Sequence, residues 1–470
     1  MPAGTATPAT PAAKARAPEL GITSVRLSDQ LYVLPAWRSP AASLSWGWYG
    51  RARRLSPGQA RASSSRNAGI MAAGTTLSRL TGFARFLAVA WVLGQGHLAD
   101  AYNQANTVPN TVYDLLLGGV LSATLLPVLM QSMTRAATSN ARREDEEAVP
   151  AVVTSLSVFL LVATALFWVA APLIIDFYLA LASGPGAASE RALATSWLRL
   201  FSPQLFFIGL ITITTALLNA RRRFMAVAFS PVLANIVTIA ALVLADHMVR
   251  AHTVTAFRAT PKAVLVIGLG TTAGYVVQLL AQVPSLLKAG LPLRLLWRPR
   301  HPALTRIVRL SGWTIGAVAT NQASFALVSL LANRRPGNYS SFTYSYQFLL
   351  LPYSVIAVSI AAAMAPELAE LWSKGARRAF GRRLSLAMRG TLALVLPAAA
   401  GYAVVARPVS VLATAHGALG VHQALSTGTL LAIFALGLPG FSCYLLMMRA
   451  FQAQQDARSM FWLYVVENGL

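Results

Sequence analysis

From Asn67 to the end of the chain, stretches of 20 or more mainly apolar residues follow one another with short polar connections between them. Each can cross a hydrocarbon core about 30 Å thick as a helix, a form that satisfies its own backbone where no water can reach it. The hydropathy pattern predicts spanning helices near 67–93, 104–130, 150–180, 196–219, 224–248, 263–287, 307–332, 340–371, 384–406 and 426–452, with an eleventh starting at Ser459. With 56% hydrophobic and 11% charged residues, the chain is far from the roughly 25% charged composition of soluble domains. The expected class is therefore all-α, a polytopic membrane protein.

A net charge of +24 raises the question of nucleic-acid binding, but the positions of the basic residues answer it otherwise. Alternate connections carry 20 Lys and Arg on one side of the membrane and 7 on the other. The rule that cytoplasmic loops are basic then places the first set, the N-terminus, Arg142 and Arg377 inside. It places Arg191, Arg258 and Gly337 outside. The charge is a topology signal, and no nucleic-acid partner is expected.

Residues 1–66 are rich in Ala, Pro, Ser and Arg, carry nine basic residues and have no apolar run long enough for a signal-peptide core. They are expected to form a disordered basic cytoplasmic tail, whose Trp37, Trp46, Trp48, Tyr49, Arg51, Arg53 and Arg54 could rest on anionic lipid headgroups. Cys443 is the only cysteine, the six histidines are scattered, and no GxxxxGK[ST] loop is present. No metal, cofactor or ATP site is expected, and no enzyme.

The segment SRLTGFAR (78–85) puts Arg79 and Arg85 inside the first apolar stretch. A guanidinium at the centre of a spanning helix costs roughly 3 kcal/mol on insertion scales, so it faces a wet cavity, a charged ligand or a carboxylate. On a helix Gly74, Ser78, Gly82 and Arg85 share one face, and Arg79 flanks it. Arg79 and Arg85 lie about 120° apart around that helix, so one phosphate cannot easily take both side-on. Two readings stay open: an anion site, or buried pairing with Asp100, Asp114 or helix-end carbonyls. Asp114 could neutralise an arginine, carry a coupling proton, or form a plain interhelical ion pair. The prolines Pro109, Pro127, Pro203, Pro231, Pro352, Pro366 and Pro439 could act as hinges or be ordinary spanning-helix prolines. REDEEA (143–148) and the basic runs 297–301 and 374–383 set topology, or gather an anionic lipid-linked substrate.

Two landmarks repeat along the chain. PVLMQ (127–131) and PELAE (366–370) are offset by 239 residues, and 216–235 and 450–468, each with an Asn near the middle of the second helix, by 233 to 234. Two parallel six-helix halves follow, as in transporters built from internal repeats. The expected division is a tail at 1–66, an N-terminal six-helix lobe at 67–288 and a C-terminal lobe at 289–470, around a central cavity. Leu470 aligns with about Val237, so the second lobe is expected to be incomplete, with helices 7 to 10 and the start of 11. Asn321 and Gln322 would then face lipid.

SRLTGFAR, Gly94, Asp100 with Ala101, Pro109 with Asn110, and GGVLSATLLPVL (118–129) follow in order the signature of the lipid II flippases, MurJ or MviN. The chain resembles that family, part of the multidrug/oligosaccharidyl-lipid/polysaccharide exporter superfamily, over roughly 67–470. The resemblance implies alternating access carrying an undecaprenyl-diphosphate-linked muropeptide from the cytoplasmic to the outer leaflet of the plasma membrane. It implies Arg79, Arg85, Ser78, Asp100 and Asn110 as substrate-binding residues, with Asp114 as charge partner or coupling group. It also implies a lipid-linked diphosphate-sugar-peptide, anionic membrane lipids and cell-wall synthesis proteins as partners. The chain departs from the family pattern at Phe86, where an Asp is frequent, at Tyr113 and Asp114, where a basic pair is, and at Gln347. Asn468 is at best a remnant of the sodium site that some members have. The competing functions are a drug or polysaccharide exporter of the same superfamily and an inactive truncated scaffold.

Overall fold

The computed structural model describes residues 22–27, 30–35, 57–118, 143–221, 223–289, 294–302, 304–305 and 312–469. They fall into two units, Met1–Arg54 and Leu55–Leu470. In the first, β1 (Ile22–Leu27) and β2 (Gln30–Pro35) pair antiparallel, with Ile22 opposite Pro35 and Leu27 opposite Gln30. This differs from the disordered stretch expected there. ITSVRL and QLYVLP hold enough β-branched and aromatic residues, across a two-residue connection, to form a hairpin. The aromatic and basic cluster at 37–54 lies outside the described residues.

The second unit is helical. Its helices are α1 (Pro57–Leu93), α2 (His97–Tyr113), α3 (Arg143–Tyr178), α4 (Ala187–Phe201), α5 (Pro203–Ala220), α6 (Phe224–Asp246), α7 (Val254–Ala259) and α8 (Pro261–Lys288). After the linker come α9 (Gly312–Ala332), α10 (Asn338–Tyr353), α11 (Ser359–Ser373), α12 (Arg377–Thr414), α13 (Val421–Gln454) and α14 (Ala457–Gly469). Among the described residues, nine spans are long and apolar enough to cross a membrane. Large apolar side chains point outward, Leu173 at 73% and Val404 at 80% exposure, as they do where lipid replaces water as solvent. The landmark 127–131 and the rest of 119–142 lie outside the described residues.

Boundaries differ from the hydropathy reading where local chemistry overrides it. α1 begins at Pro57, ten residues early, because a proline fits the first helical turn and the polar residues after it can extend the helix beyond the membrane. The span read as 196–219 is two helices that break at Ser202 and Pro203, since the proline has no N–H to continue the ladder. α2 and α10 each run into a π-turn, at Asp114–Gly118 and Ser354–Val358, and each holds a proline, Pro109 and Pro352.

The repeat is visible in the packing. α1 lies along α6, and α9 along α14; α2 packs on α4, and α10 on α13. In each half an asparagine joins the paired helices. Asn235 Nδ2 donates to Thr81 Oγ1 (3.0 Å) and the Ser78 carbonyl (3.3 Å), and Asn321 Nδ2 donates to Asn468 Oδ1 (3.3 Å). The first pairing needs Gly74: a Cβ there would sit 2.5 Å from the Ala228 Cβ. The fold is thus two parallel lobes of one helical plan. Asn321 and Gln322, expected to face lipid, are hydrogen-bonded to Asn468 and Asp114, with Asn321 still exposed.

Candidate functional site: two arginine chambers and a sealed end

The two lobes are stitched together at one end of the bundle, where the turns leading into α2, α10 and α13 meet. Gln95 bonds Ser341 and, at 3.2 Å, Ser426; its carbonyl accepts from Gln423 Nε2 at 2.8 Å. Tyr344 Oη donates to the Gly94 carbonyl (2.9 Å), Asn103 Nδ2 to Ser340 Oγ (3.2 Å), and Ser329 Oγ and Asn333 Nδ2 to Gln104 Oε1 (2.6 and 3.1 Å). Below this polar seal, Phe83 and Phe86 pack edge-on against Phe348, with ring centroids 5.5 and 5.4 Å away. Phe86 is thus part of an apolar plug between the lobes.

Asp100 belongs to this seal. It was expected to touch substrate, but it is 1% exposed and lies at neither arginine. Its carboxylate accepts from the backbone N–H groups of Gly337 and Ser340, the latter at 2.7 Å, and from the Ser340 hydroxyl. The N–H groups at a helix start have no partner of their own and carry partial positive charge, so an anion there is held by geometry and charge together. Gly337, at φ +85°, supplies the left-handed turn that aims its N–H at Asp100. Asn110, also expected at the substrate, donates to the Asn106 carbonyl within its own helix (3.2 Å). In this structure Asp100 caps α10, and Asn110, half-buried, bonds along α2. The sequence cannot separate a cavity acid from a helix cap.

Arg79 and Arg85 behave differently. Neither makes an ion pair or hydrogen bond to any protein group among the described residues. Each lines a cavity in the first lobe. The chamber of Arg85, about 270 Å³, lies between α1, α6 and α8 and is lined also by Ser78, Gly82, Asn235, Thr271, Tyr275 and Gln278. The chamber of Arg79, about 380 Å³, is lined by Ser78, Asn219, Phe224, Val227 and Pro231 among others. Ser78 and Pro231 are shared walls. The small face of α1 has a double use: Gly74 packs on α6, while Gly82, 3.6 Å from Asn235 Nδ2, leaves room beside Arg85. Away from the sealed end, Gln322 Nε2 donates to Asp114 Oδ2 at 3.4 Å, so this acid links the lobes through an amide and is not bonded to an arginine.

Tyr275, Gln278 and Asn219 escape the sequence reading. A signal was present, since Thr271, Tyr275 and Gln278 recur at i, i+4 and i+7, a polar stripe on one face of an otherwise apolar helix.

The model of the family described as lipid II flippase MurJ matches residues 89–468. The chain belongs to the lipid II flippase MurJ family. The match begins at Val89, so Arg79 and Arg85 stand ahead of it and their assignment rests on the chambers. A probable lipid II flippase MurJ of Rhizobium meliloti is 28% identical over 394 residues, 82% of this chain and 70% of that protein. The lipid II flippase MurJ of Burkholderia cenocepacia is 27% identical over 401 residues, 82% and 72%. Among solved structures, a lipid II flippase MurJ in an inward closed conformation superposes with a TM-score of 0.68 at 21% identity, over 85% of this chain and 78% of that one. An inward-facing multidrug resistance MATE transporter follows at 0.63 and 14%, over 83% and 84%. At such identities both likenesses speak for the fold.

Proposed function

We propose that this chain, in the plasma membrane with its N-terminus in the cytoplasm, carries lipid II from the inner to the outer leaflet by alternating access. The observation that carries the reading is the pair of unpartnered arginines, Arg79 and Arg85, in adjoining chambers lined by no carboxylate. A guanidinium stays charged at physiological pH and donates paired, planar hydrogen bonds that match phosphate oxygens. With the arginines in separate chambers sharing the Ser78 wall, each takes one phosphoryl group of a diphosphate, in keeping with their angular separation on α1. The basic-loop asymmetry puts the sealed end outside. The state described is then one that loads from the cytoplasm, and breaking the Asp100 seal releases cargo outward.

Ser78 contributes as the shared wall. Asp114 acts as an interlobe tie to Gln322. Anionic lipids at the basic start of α12 and cell-wall synthesis proteins are the further partners this reading takes, and transport needs no covalent chemistry. A soluble cationic drug would meet guanidinium where it needs a carboxylate, which disfavours the exporter reading.

Depleting the chain in its host tests this. Lipid II should accumulate in the inner leaflet, and expression of the Arg79→Ala, Arg85→Ala double variant at normal abundance should not reverse it, with Lys at both sites restoring it in part. Accumulation of another lipid-linked precursor, or full rescue by the double variant, would overturn the reading.

A further inference from the structure

The Arg85 chamber holds more polar equipment than one phosphate needs. Tyr275 and Gln278 stand on the stripe of α8 that faces it, and neither side chain bonds any protein group among the described residues. Asn235 spends its Nδ2 on α1, which leaves Oδ1 as an acceptor toward the same space. Thr271 is only 3.5 Å from Tyr102 and Thr238 donates back to the Ala234 carbonyl, so these two close the walls. Tyr275, Gln278 and Arg85 are half-buried on the cavity wall, so hydrogen-bonding groups that no protein group takes converge on one space beside a guanidinium, as in a site for a polar ligand.

A volume of about 270 Å³ holds about nine waters at roughly 30 Å³ each, too much for a lone phosphoryl group. The chemistry of the walls says what fills the rest. A carboxamide donates and accepts at once, the complement of an acetamido group, and a phenol serves a sugar hydroxyl in either sense. We propose that this chamber recognises the sugar attached to the phosphate, with Arg85 on the phosphoryl oxygens, Gln278 on an acetamido substituent and Tyr275 on a ring hydroxyl. Gln278 and Tyr275 are then specificity-determining residues of the transporter. This rests on the flippase reading, in which the cargo is a phosphate-linked amino sugar.

The test uses the purified full chain and two probes, inorganic phosphate and N-acetylglucosamine 1-phosphate, with affinity read by isothermal calorimetry. Gln278→Leu and Tyr275→Phe should each weaken the sugar phosphate about 5- to 20-fold and leave inorganic phosphate within about twofold, while Arg85→Ala loses both. Gln278→Asn, with the same chemistry on a shorter arm, should fall between wild type and Gln278→Leu, and unchanged melting temperatures guard against misfolding. Equal weakening of both probes by the α8 variants, or no weakening of either, would overturn the sugar assignment and leave the flippase reading in place. Undiminished sugar-phosphate binding by Arg85→Ala would overturn both.

Discussion

Asp100→Ala removes the group on which the sealed end turns. The carboxylate accepts three hydrogen bonds, from Gly337 N–H, Ser340 N–H and Ser340 Oγ, all from the start of α10 and all buried. Alanine orphans these donors at roughly 1–3 kcal/mol each if nothing moves. The Ser340 hydroxyl can turn and the helix start can shift, so about 3 kcal/mol is a fair net cost to the sealed state. At 1.4 kcal/mol per factor of ten, the sealed-to-open ratio falls by about two powers of ten. Asn at this site keeps one acceptor oxygen and no charge, and should give an intermediate shift. Ser345, fully buried beneath the seal, reports the change as Ser345→Cys in a Cys443→Ser background. A membrane-impermeant maleimide applied from the side of Gln95 should label it about 100-fold faster when Asp100→Ala is added. Equal labelling rates in the two proteins, both folded, would refute the idea that this cap holds the lobes together.

Other perturbations follow from the same contacts. Asn235→Ala cuts the tie from α6 to Ser78 and Thr81, and should lower unfolding stability in detergent by about 1–3 kcal/mol, read from denaturant titration. Gly74→Val places a side chain where a Cβ already meets Ala228 at 2.5 Å, and the overpacking of α1 on α6 should cost about 1–3 kcal/mol or more and lower the yield of monodisperse protein. Single cysteines in the Cys443→Ser background should be labelled from outside at Arg191 and Arg258 and from inside at Arg377; a reversed pattern would invert the sealed end.

Much of this architecture was legible in the sequence because a bilayer leaves few options. Long apolar runs fix the spans, and two arginines in the first run stand out since little else there carries charge. The 233-residue offset between Asn235 and Asn468 predicts that both halves use one plan, and the two asparagines do join corresponding pairs of helices, α6 to α1 and α14 to α9. What stayed hidden depends on direction. Asp100 reads as a charged group beside a membrane helix, and only the fold shows it aimed at the start of α10 rather than at cargo. Asn110 sits beside a proline in a polar stretch, yet bonds along its own helix. Tyr275 and Gln278 were passed over because neutral polar residues cost too little in a spanning helix to draw notice, although their spacing put them on one face. The hairpin at 22–35 was missed since composition dominated a segment with only short apolar alternations.

The central claim is that the unpaired arginines of α1 carry the lipid-linked diphosphate across the membrane. Its most direct test is a translocation assay with the purified chain in proteoliposomes, following fluorescent lipid II in the two leaflets by quenching with an impermeant reductant. The account predicts protein-dependent exchange by the wild type. It also predicts exchange at the protein-free rate by the equally stable Arg79→Ala, Arg85→Ala variant. Equal protein-dependent exchange by both would contradict it.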